Sequence, residues 1–195
     1  MLELAVPHRR FHRSFLAAAD EFLAAGEDRY AHLLDWPADG TFPGLSVTRK
    51  SLESQRAFEE YAAFLAAQAL EDAPRPAHFV PMTDLWMADG DTYLGRISVR
   101  HRLTDVLRTW GGHIGYAVRP SARGHGYARQ ALTAALPVCA TLGLDPVLVT
   151  CDPDNHASRR TIERCGGVYE DTREGKRRYW ISTAAGASPS GQPAG

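Results

Sequence analysis

The feature that most constrains this chain is a glycine-containing turn, residues 123–128 (RGHGYA), which joins a predicted strand directly to a predicted helix. Its glycines, Gly124 and Gly126, can adopt positive φ angles and leave room for a ligand to approach the backbone. The first amides of the following helix lack intrahelical acceptors and carry the positive end of the helix dipole. The turn therefore predicts an anion site, most naturally for phosphate, with a plain strand-to-helix connection as the alternative.

Two common phosphate-binding loops do not fit this turn. A Walker loop ends in Gly-Lys-Ser or Gly-Lys-Thr, whereas the residues here are Gly126, Tyr127 and Ala128. The dinucleotide fingerprint requires a third small residue, and that position holds Arg129. The turn therefore predicts neither a P-loop nor a Rossmann dinucleotide site.

Length, charge and cysteine content narrow the class of protein. The 195 residues suffice for one sizeable domain, and the formal net charge of −1 gives no electrostatic reason to expect a nucleic-acid partner. No apolar stretch has the length of a membrane span or of a signal peptide. Cys139, Cys151 and Cys165 are odd in number and lack metal-ligand spacing, which favours free thiols and no metal site. We therefore expect a cytoplasmic protein with neither membrane nor nucleic-acid partners.

The N-terminal part of the chain predicts two helices. Between residues 8 and 25, apolar side chains recur at helical spacing, namely Phe11, Phe15, Ala18, Ala19 and Phe22. Ser51 is the predicted N-cap of the second helix. The buried stripe of that helix comprises Phe58, Tyr61, Ala62, Leu65 and Ala69. Between the helices, residues 35–44 are rich in Pro, Gly and Asp and predict a loop, whose Trp36 and Phe42 either line a pocket or pin the loop to the core.

The remaining chain predicts strands and two further helices. Residues 93–101 alternate strictly between two faces, as a half-buried strand does, and the Asp-Gly-Asp turn at 89–91 makes a hairpin with the preceding strand. Pro137 is expected to kink the helix after the glycine turn or to end it early. The full order is strand, two helices, three strands, helix, strand, helix, two strands. This order predicts a mixed α/β (α+β) fold.

The glycine turn also carries a family resemblance. Arg123, Gly126 and Ala128 occupy the defined positions of the arginine/glutamine-x-x-glycine-x-glycine/alanine signature of the GNAT superfamily of acyl-CoA-dependent N-acetyltransferases, which this chain resembles. Further stretches are similar to a bacterial branch of predicted acetyltransferases, namely residues 95–101, 111–116 and 154–158. The resemblance implies the GNAT fold, a central mixed, mostly antiparallel sheet of about seven strands with flanking helices.

The domain organisation follows from the same resemblance. It spans residues 2–181, and we expect a single GNAT N-acetyltransferase domain over residues 1–183. Within it, the core occupies residues 78–182 and an N-terminal helical segment occupies residues 8–70. From residue 184 to residue 195 the chain consists of Ala, Gly, Ser, Pro and Gln, which predicts a disordered tail.

The resemblance implies acetyl-CoA as the cosubstrate, bound where the strand before the turn splays away from its neighbour. Its pantetheine arm would hydrogen-bond the strand backbone at Val118, and a backbone N–H there would stabilise the oxyanion. Asn155 and Ser158 match polar residues that flank the pantetheine in related enzymes, although Asn155 taken alone would be only a helix cap. The implied cofactor-binding residues are Val118, Arg123, Gly124, His125, Gly126, Tyr127, Ala128, Asn155 and Ser158.

The catalytic positions depart from the better-known pattern of the family. The strand position that carries a glutamate base in relatives holds Gly112, so His113 beside it is the first candidate base and His101 the second. The position of the usual tyrosine acid on the last helix holds Ile162, which leaves the acid unassigned. A covalent route through Cys151 lacks a supporting Cys-His-Asp arrangement.

The resemblance therefore implies direct transfer of an acetyl group from acetyl-CoA to a primary amine of a small molecule, with a protein amine as a second option. Asp84 and Glu53 are candidates to receive a cationic amine. Because the glutamate and the tyrosine are missing, a non-catalytic coenzyme A-binding sensor or interaction module is the alternative, and a longer acyl group is a third. The acceptor, the acyl chain length and homodimer formation stay open.

Overall fold

The computed structural model of the chain describes residues 1–27 and 34–184. Apart from Ala184, the predicted tail lies outside these residues, and the predicted domain limits stay a prediction. Within the described ranges, no helix has both the length and the apolar character needed to cross a bilayer.

The described residues form four α-helices and nine strands. The helices are α1 (His12–Ala24), α2 (Gln55–Ala67), α3 (Tyr127–Thr141) and α4 (His156–Arg164). The strands are β1 (Glu3–Ala5), β2 (Leu34–Trp36), β3 (Leu45–Val47), β4 (Met82–Asp89), β5 (Thr92–Arg100), β6 (Ile114–Val118), β7 (Val147–Cys151), β8 (Val168–Arg173) and β9 (Lys176–Ile181).

Seven of these strands form one sheet in the order β1-β4-β5-β6-β7-β9-β8. Neighbouring strands are antiparallel except β6 and β7, which run parallel. The predicted mixed, mostly antiparallel seven-stranded sheet with flanking helices is therefore confirmed. The remaining strands, β2 and β3, pair with each other in a small separate sheet that the sequence analysis did not predict.

The loop predicted at residues 35–44 is wrong at its first positions, because Asp35 and Trp36 belong to β2. Trp36 lies edge-on against Phe64, with ring centroids 5.4 Å apart, and its ring is 6.0 Å from that of Phe42. These contacts pin the segment to the core, which was one of the two roles expected for the aromatic residues.

The two faces of the sheet carry separate cores. On one face, the predicted apolar stripes of α1 and α2 pack around Trp86 of β4, which stacks on Phe15 at 5.1 Å between ring centroids. On the other face, α3 and α4 cover the apolar residues of the central strands, among them Ile97, Ile114 and Val149. Full burial of a large apolar side chain contributes about 1.5–3 kcal/mol, so these two layers hold the sheet between the helix pairs.

Two expectations about helices are corrected. The N-cap of α2 is Ser54, whose Oγ accepts the N–H of Ala57 at 3.4 Å, whereas Ser51 lies in a preceding 3-10 turn. The early end expected at Pro137 is wrong, because α3 continues for about one further turn, while the alternative of a kink at Pro137 stays a prediction. A proline removes one backbone hydrogen-bond donor from the helix. The burial of Ala135 on the same helix offsets this loss and favours continuation of the helix.

The described residues of β6 and β7 pair at one end of the strands only. Ile114 lies opposite Val149, and the N–H of His113 donates to the Leu148 carbonyl at 2.7 Å. Beyond this point β6 continues along β5 while β7 continues along β9. The two strands therefore part at the centre of the sheet and leave a gap between them.

Gly112 permits the close contact at the start of this gap. Its φ of 62° and ψ of −171° lie in a region that is essentially restricted to glycine. A Cβ at this position would lie 2.4 Å from the Leu148 carbonyl oxygen. Consequently, no side chain fits here without moving β6 away from β7.

We expect the substitution Gly112→Ala to lower the free energy of unfolding by about 3 kcal/mol or more, because it adds steric overlap to backbone strain. Gly90→Ala is the matched control, since Gly90 has a φ of +57° and a Cβ there would meet nothing within 4 Å. The control should lose only about 1 kcal/mol. Chemical denaturation of both variants measures the difference, and equal losses would contradict the tight contact at Leu148.

Candidate functional site

The gap between β6 and β7 opens into a cleft of about 760 Å³, bounded by β6, the glycine turn, the first turn of α3 and one face of α4. A smaller side cavity of about 280 Å³ adjoins it, and both are lined by Tyr116, Ala117, Asn155 and Ser158. The structure brings all nine predicted cofactor-binding residues to the lining of the cleft. Their contacts with a ligand stay a prediction.

The glycine turn has the conformation that an anion site requires. Gly124 and Gly126 have φ angles of +82° and +77°, and a Cβ at either position would meet nothing within 4 Å. Gly126 is the N-cap of α3 and forms no side-chain cap hydrogen bond. The first amides of α3 therefore face the cleft with the positive end of the helix dipole behind them.

The Arg123 side chain braces the turn. Its guanidinium makes a bidentate ion pair with Glu27, at 2.7 and 2.9 Å, and its Nε donates to the Val118 carbonyl at 3.2 Å. The backbone of Arg123 belongs to the turn, while its guanidinium group contacts Glu27, just after α1, and the Val118 carbonyl of β6. A second pair acts in the same way, because Arg119 binds Glu21 at 2.7 Å and lowers the pKa of that carboxyl to about 2.

The backbone of β6 presents hydrogen-bonding groups to the cleft at alternate residues. The N–H of Arg119 donates to Leu94 at 2.9 Å, so the odd-numbered positions of this strand face β5. The even-numbered positions, Tyr116 and Val118, therefore direct their N–H and C=O groups towards the gap where β7 has departed. The Val118 carbonyl already accepts a hydrogen bond from Arg123.

Tyr116 is a cleft residue that the sequence analysis passed over as an ordinary strand residue. Its hydroxyl lies 2.8 Å from the Ser158 Oγ on α4 and also interacts with Thr161. Burial raises the pKa of Tyr116 to about 12, so the hydroxyl is protonated at neutral pH. A tyrosine hydroxyl of β6 therefore reaches α4 across the cleft, a contact that no local motif indicates.

Asn155 and Ser158 fix the start of α4 beside the cleft. Asn155 is the N-cap, and its Oδ1 accepts the N–H of Ser158 at 3.0 Å. The same residue lines both the cleft and the side cavity. Its capping role, which the sequence predicted, therefore coexists with a position at the junction of the two spaces.

The side cavity is polar and rich in cations. Three alternate residues of β5 line it, Arg96, Ser98 and Arg100, together with the half-exposed Trp110. The opposite wall carries Lys176, which forms an ion pair with Asp152. Within the described chain, no group of three His, Cys, Asp or Glu side chains is placed to hold a metal ion.

His113, the first candidate base, lies at the junction of β6 and β7. It is 7% exposed, and its Nδ1 accepts the backbone N–H of Leu148 at 2.9 Å. Burial, with a smaller effect of Arg108, lowers the pKa of His113 to about 4, so the ring is neutral at pH 7. His113 is not among the described residues that line the cleft or the side cavity.

The other titratable candidates lie in different surroundings. His101 accepts or donates a hydrogen bond at 2.8 Å with Thr83 Oγ1, and burial lowers its pKa. Asp84 is 4% exposed and accepts a hydrogen bond from Ser98, behind the side cavity, and burial raises its pKa. Glu53 pairs with Arg49 on an exposed surface.

Comparison with known proteins identifies the family to which this fold and cleft belong. A family model described as an acetyltransferase (GNAT) domain matches residues 27–168. No curated protein matches the sequence.

Solved structures of similar fold include several acetyltransferases. The microcin C7 self-immunity acetyltransferase in complex with acetyl-CoA and AMP has 13% identity and a TM-score of 0.58, covering 93% of this chain and 92% of that chain. The ribosomal L7/L12 alpha-N-protein acetyltransferase RimL in complex with coenzyme A has 17% identity and a TM-score of 0.56, covering 93% of each chain. RimJ from Mycobacterium smegmatis in complex with CoA-disulfide has 22% identity and a TM-score of 0.56, covering 96% of this chain and 88% of that chain.

At these identities the structural likeness shows a shared fold. The family match is independent of it and extends over more than half of the sequence, including the glycine turn, β6 and α4. The chain therefore belongs to the acetyltransferase (GNAT) domain family.

Proposed function

We propose that this protein transfers the acetyl group of acetyl-CoA to a primary amine of a small molecule, by direct attack within a ternary complex. The observation that carries this proposal is the meeting of two spaces at Tyr116, the cleft lined by the glycine turn on one side and a polar side cavity on the other. Complexes of the microcin C7 enzyme with acetyl-CoA and of RimL with coenzyme A support the cosubstrate. The free thiols of Cys139, Cys151 and Cys165 are consistent with a cytoplasmic location.

The cleft fits the polar parts of coenzyme A. The amides at the start of α3 would hold a diphosphate, and the same cleft is lined by the arginines Arg129, Arg160 and Arg164. Guanidinium groups suit phosphate oxygens through paired donors. The outward N–H groups of Tyr116 and Val118 and the Tyr116 carbonyl would hold the amides of the pantetheine arm, as an added strand does.

Bound acetyl-CoA supplies an activated acetyl thioester at the junction of the two spaces. There the backbone N–H of β6 would stabilise negative charge that develops on the acetyl oxygen. Ser158 and Asn155 would orient the thiol end, because both line the cleft and the side cavity. The acceptor amine would approach from the side cavity as the free base. Its nitrogen would form the C–N bond as the C–S bond of the thioester breaks, and the proton that the nitrogen loses would pass to solvent water.

We propose Tyr116 as the proton donor to the departing thiolate. Its hydroxyl is protonated at neutral pH and lies between β6 and α4, where the thiol end of the cosubstrate would lie. The hydrogen bond with Ser158 fixes its orientation. A thiolate is a tolerable leaving group, so we expect the contribution of this proton to be moderate.

Thiol release from acetyl-CoA over a panel of primary amines tests the proposed function. Steady amine-dependent release, with an acetylated product identified by mass spectrometry, is the expected result. Binding of acetyl-CoA without any turnover would instead favour the non-catalytic sensor. Parallel assays with longer acyl-CoA molecules would reveal the preferred chain length.

We expect Tyr116→Phe to lower kcat by about 10- to 100-fold, at the lower end of general acid catalysis. The Kd for acetyl-CoA should stay within about threefold of the wild-type value, because the change removes one oxygen. Tyr169→Phe is the matched control, since the Tyr169 hydroxyl contacts Thr172 on the exposed strand β8. An unchanged kcat in Tyr116→Phe would exclude it as the proton donor.

We expect His113→Asn to retain most of the activity and the same rate-versus-pH profile, because the Asn oxygen can accept the Leu148 N–H in place of the ring nitrogen. His113→Leu removes that acceptor and should cost about 1–3 kcal/mol of stability. A folded His113→Asn variant that loses most of its activity, together with the rise of the rate on the acidic side of the pH profile, would show that His113 is the base.

The lowered pKa of His113 also predicts how stability depends on pH. As the pH falls from 6.5 towards 4, the unfolded chain binds a proton at His113 that the folded protein does not, so the wild type should lose stability and His113→Asn should lose less.

A further inference from the structure

The side cavity has a floor built from one face of β5. Arg96 and Ser98 lie opposite Ala117 and Gly115 of β6 in the sheet register. Because these β6 residues have little or no side chain, the longer arginine side chains can extend over the neighbouring strand. A Cβ at Gly115 would indeed lie 3.5 and 3.6 Å from the two terminal nitrogens of Arg100.

Backbone hydrogen bonds hold the Arg100 guanidinium in place through only one of its three nitrogen atoms. Its Nη1 donates to the carbonyls of Gly111 and Gly112, at 3.0 and 3.3 Å. In the described ranges its Nε and Nη2 have no such partner, and the side chain lines the cavity. Burial lowers the pKa of Arg100, which reflects the loss of water around the cation. A desolvated guanidinium with open donors is a strong site for an anion with paired oxygens.

The described residues that line the side cavity include three basic side chains, Arg96, Arg100 and Lys176, and one acid, Asp152. Arg96 and Arg100 provide two guanidinium groups, and the carboxyl group behind them is that of Asp84. One oxygen of Asp84 accepts a hydrogen bond from Ser98, and the other is buried without a hydrogen-bond partner. On the opposite wall, Lys176 is already paired with Asp152. Among the described residues that line the cavity, cations therefore outnumber acids, and the open donors on its β5 side are those of Arg100.

We infer that the acceptor is an amine that also carries an anionic group, a carboxylate or a phosphate, which pairs with Arg100 and Arg96. The amine would then lie on the Tyr116 side of the cavity, next to the cleft. With a volume of about 280 Å³, the cavity suits a molecule the size of one amino acid. This inference rests on the proposed function, and it distinguishes the chain from enzymes whose acceptors are polyamines, because a diamine would place a second positive charge beside the arginines.

Matched pairs of acceptors test the inference directly. β-Alanine is compared with its amide, O-phosphoethanolamine with ethanolamine, and cadaverine serves as the dication. Each kcat/KM is corrected for the fraction of free amine. The wild type should prefer the anionic member of at least one pair by tenfold or more, and the pair in which this occurs distinguishes carboxylate from phosphate. The preference should weaken at high salt, because screening reduces the attraction.

Arg96→Gln should reduce this preference by tenfold or more, mainly through KM, with an unchanged Kd for acetyl-CoA. Arg100→Lys should reduce it as well, since lysine keeps the charge but loses the paired donors. Arg102→Gln is the matched control, because Arg102 is exposed and pairs with Glu71 away from the cavity. In Arg102→Gln, the ratio of kcat/KM for the anionic acceptor to that for the neutral acceptor should equal the wild-type ratio.

Three results would overturn the inference. These are a wild-type ratio near one, a ratio that Arg96→Gln leaves unchanged, and silence of every anionic acceptor in a protein that binds acetyl-CoA. Acetylation of cadaverine or the neutral amines alone would reject the anionic acceptor and leave the proposed function standing. Failure to bind acetyl-CoA would reject the proposed function itself.

Discussion

Two hydrogen bonds between His113 and Leu148 hold β6 against β7 at one end, and the rest of the site depends on where that contact stops. One bond runs from the His113 N–H to the Leu148 carbonyl, and the other from the Leu148 N–H to the His113 ring. A side chain at Gly112 would separate the strands at this point. Beyond it, β6 and β7 follow different neighbours, so the gap between them is a consequence of the sheet topology. The gap leaves backbone N–H and C=O groups of β6 without a partner strand, and these groups are available to hydrogen-bond a ligand in the cleft.

The N-terminal helix has a second role besides covering the sheet. Glu21 of α1 binds Arg119 and also accepts the N–H of Ser121, and Glu27, just after α1, binds Arg123. Both carboxylates therefore hold the segment that leads from β6 into the predicted phosphate site. Partly exposed ion pairs contribute only about 1 kcal/mol or less each. The main effect of these ion pairs is to orient side chains. They draw Arg119 towards Glu21 and Arg123 towards Glu27, and they leave the amides of the turn facing the cleft.

The parts of the site that could be predicted are those with a local signal. The glycine turn is one, because its conformation depends on six consecutive residues, and the apolar stripes of α1 and α2 are another. Tyr116 could not be found in this way, since its hydroxyl meets Ser158, 42 residues further along the chain. The surroundings of His113 depend on Leu148, 35 residues away.

The same limit applies to the strand β5. Its alternation was visible in the sequence, but the face that fronts a cavity depends on the small residues Gly115 and Ala117 of the neighbouring strand. Pairing between β2 and β3 was missed for a similar reason, because each strand has only three residues and gains its stability from a partner across a loop. Register across strands, unlike a helix stripe or a turn, cannot be obtained from one segment alone.

Calorimetric titration of acetyl-CoA tests the central claim, that the cleft at the glycine turn holds the cosubstrate. The wild type is compared with Gly126→Glu, which places a bulky anion where the diphosphate would lie, and with Gly143→Glu. Gly143 has a similar φ of +72° and open space around it but lies at the far end of α3, so it controls for strain and charge. If the cleft holds the cosubstrate, acetyl-CoA should bind to the wild type and to Gly143→Glu and should not bind to a folded Gly126→Glu. Absence of binding to the wild type, or full retention of binding in Gly126→Glu, would contradict the central claim.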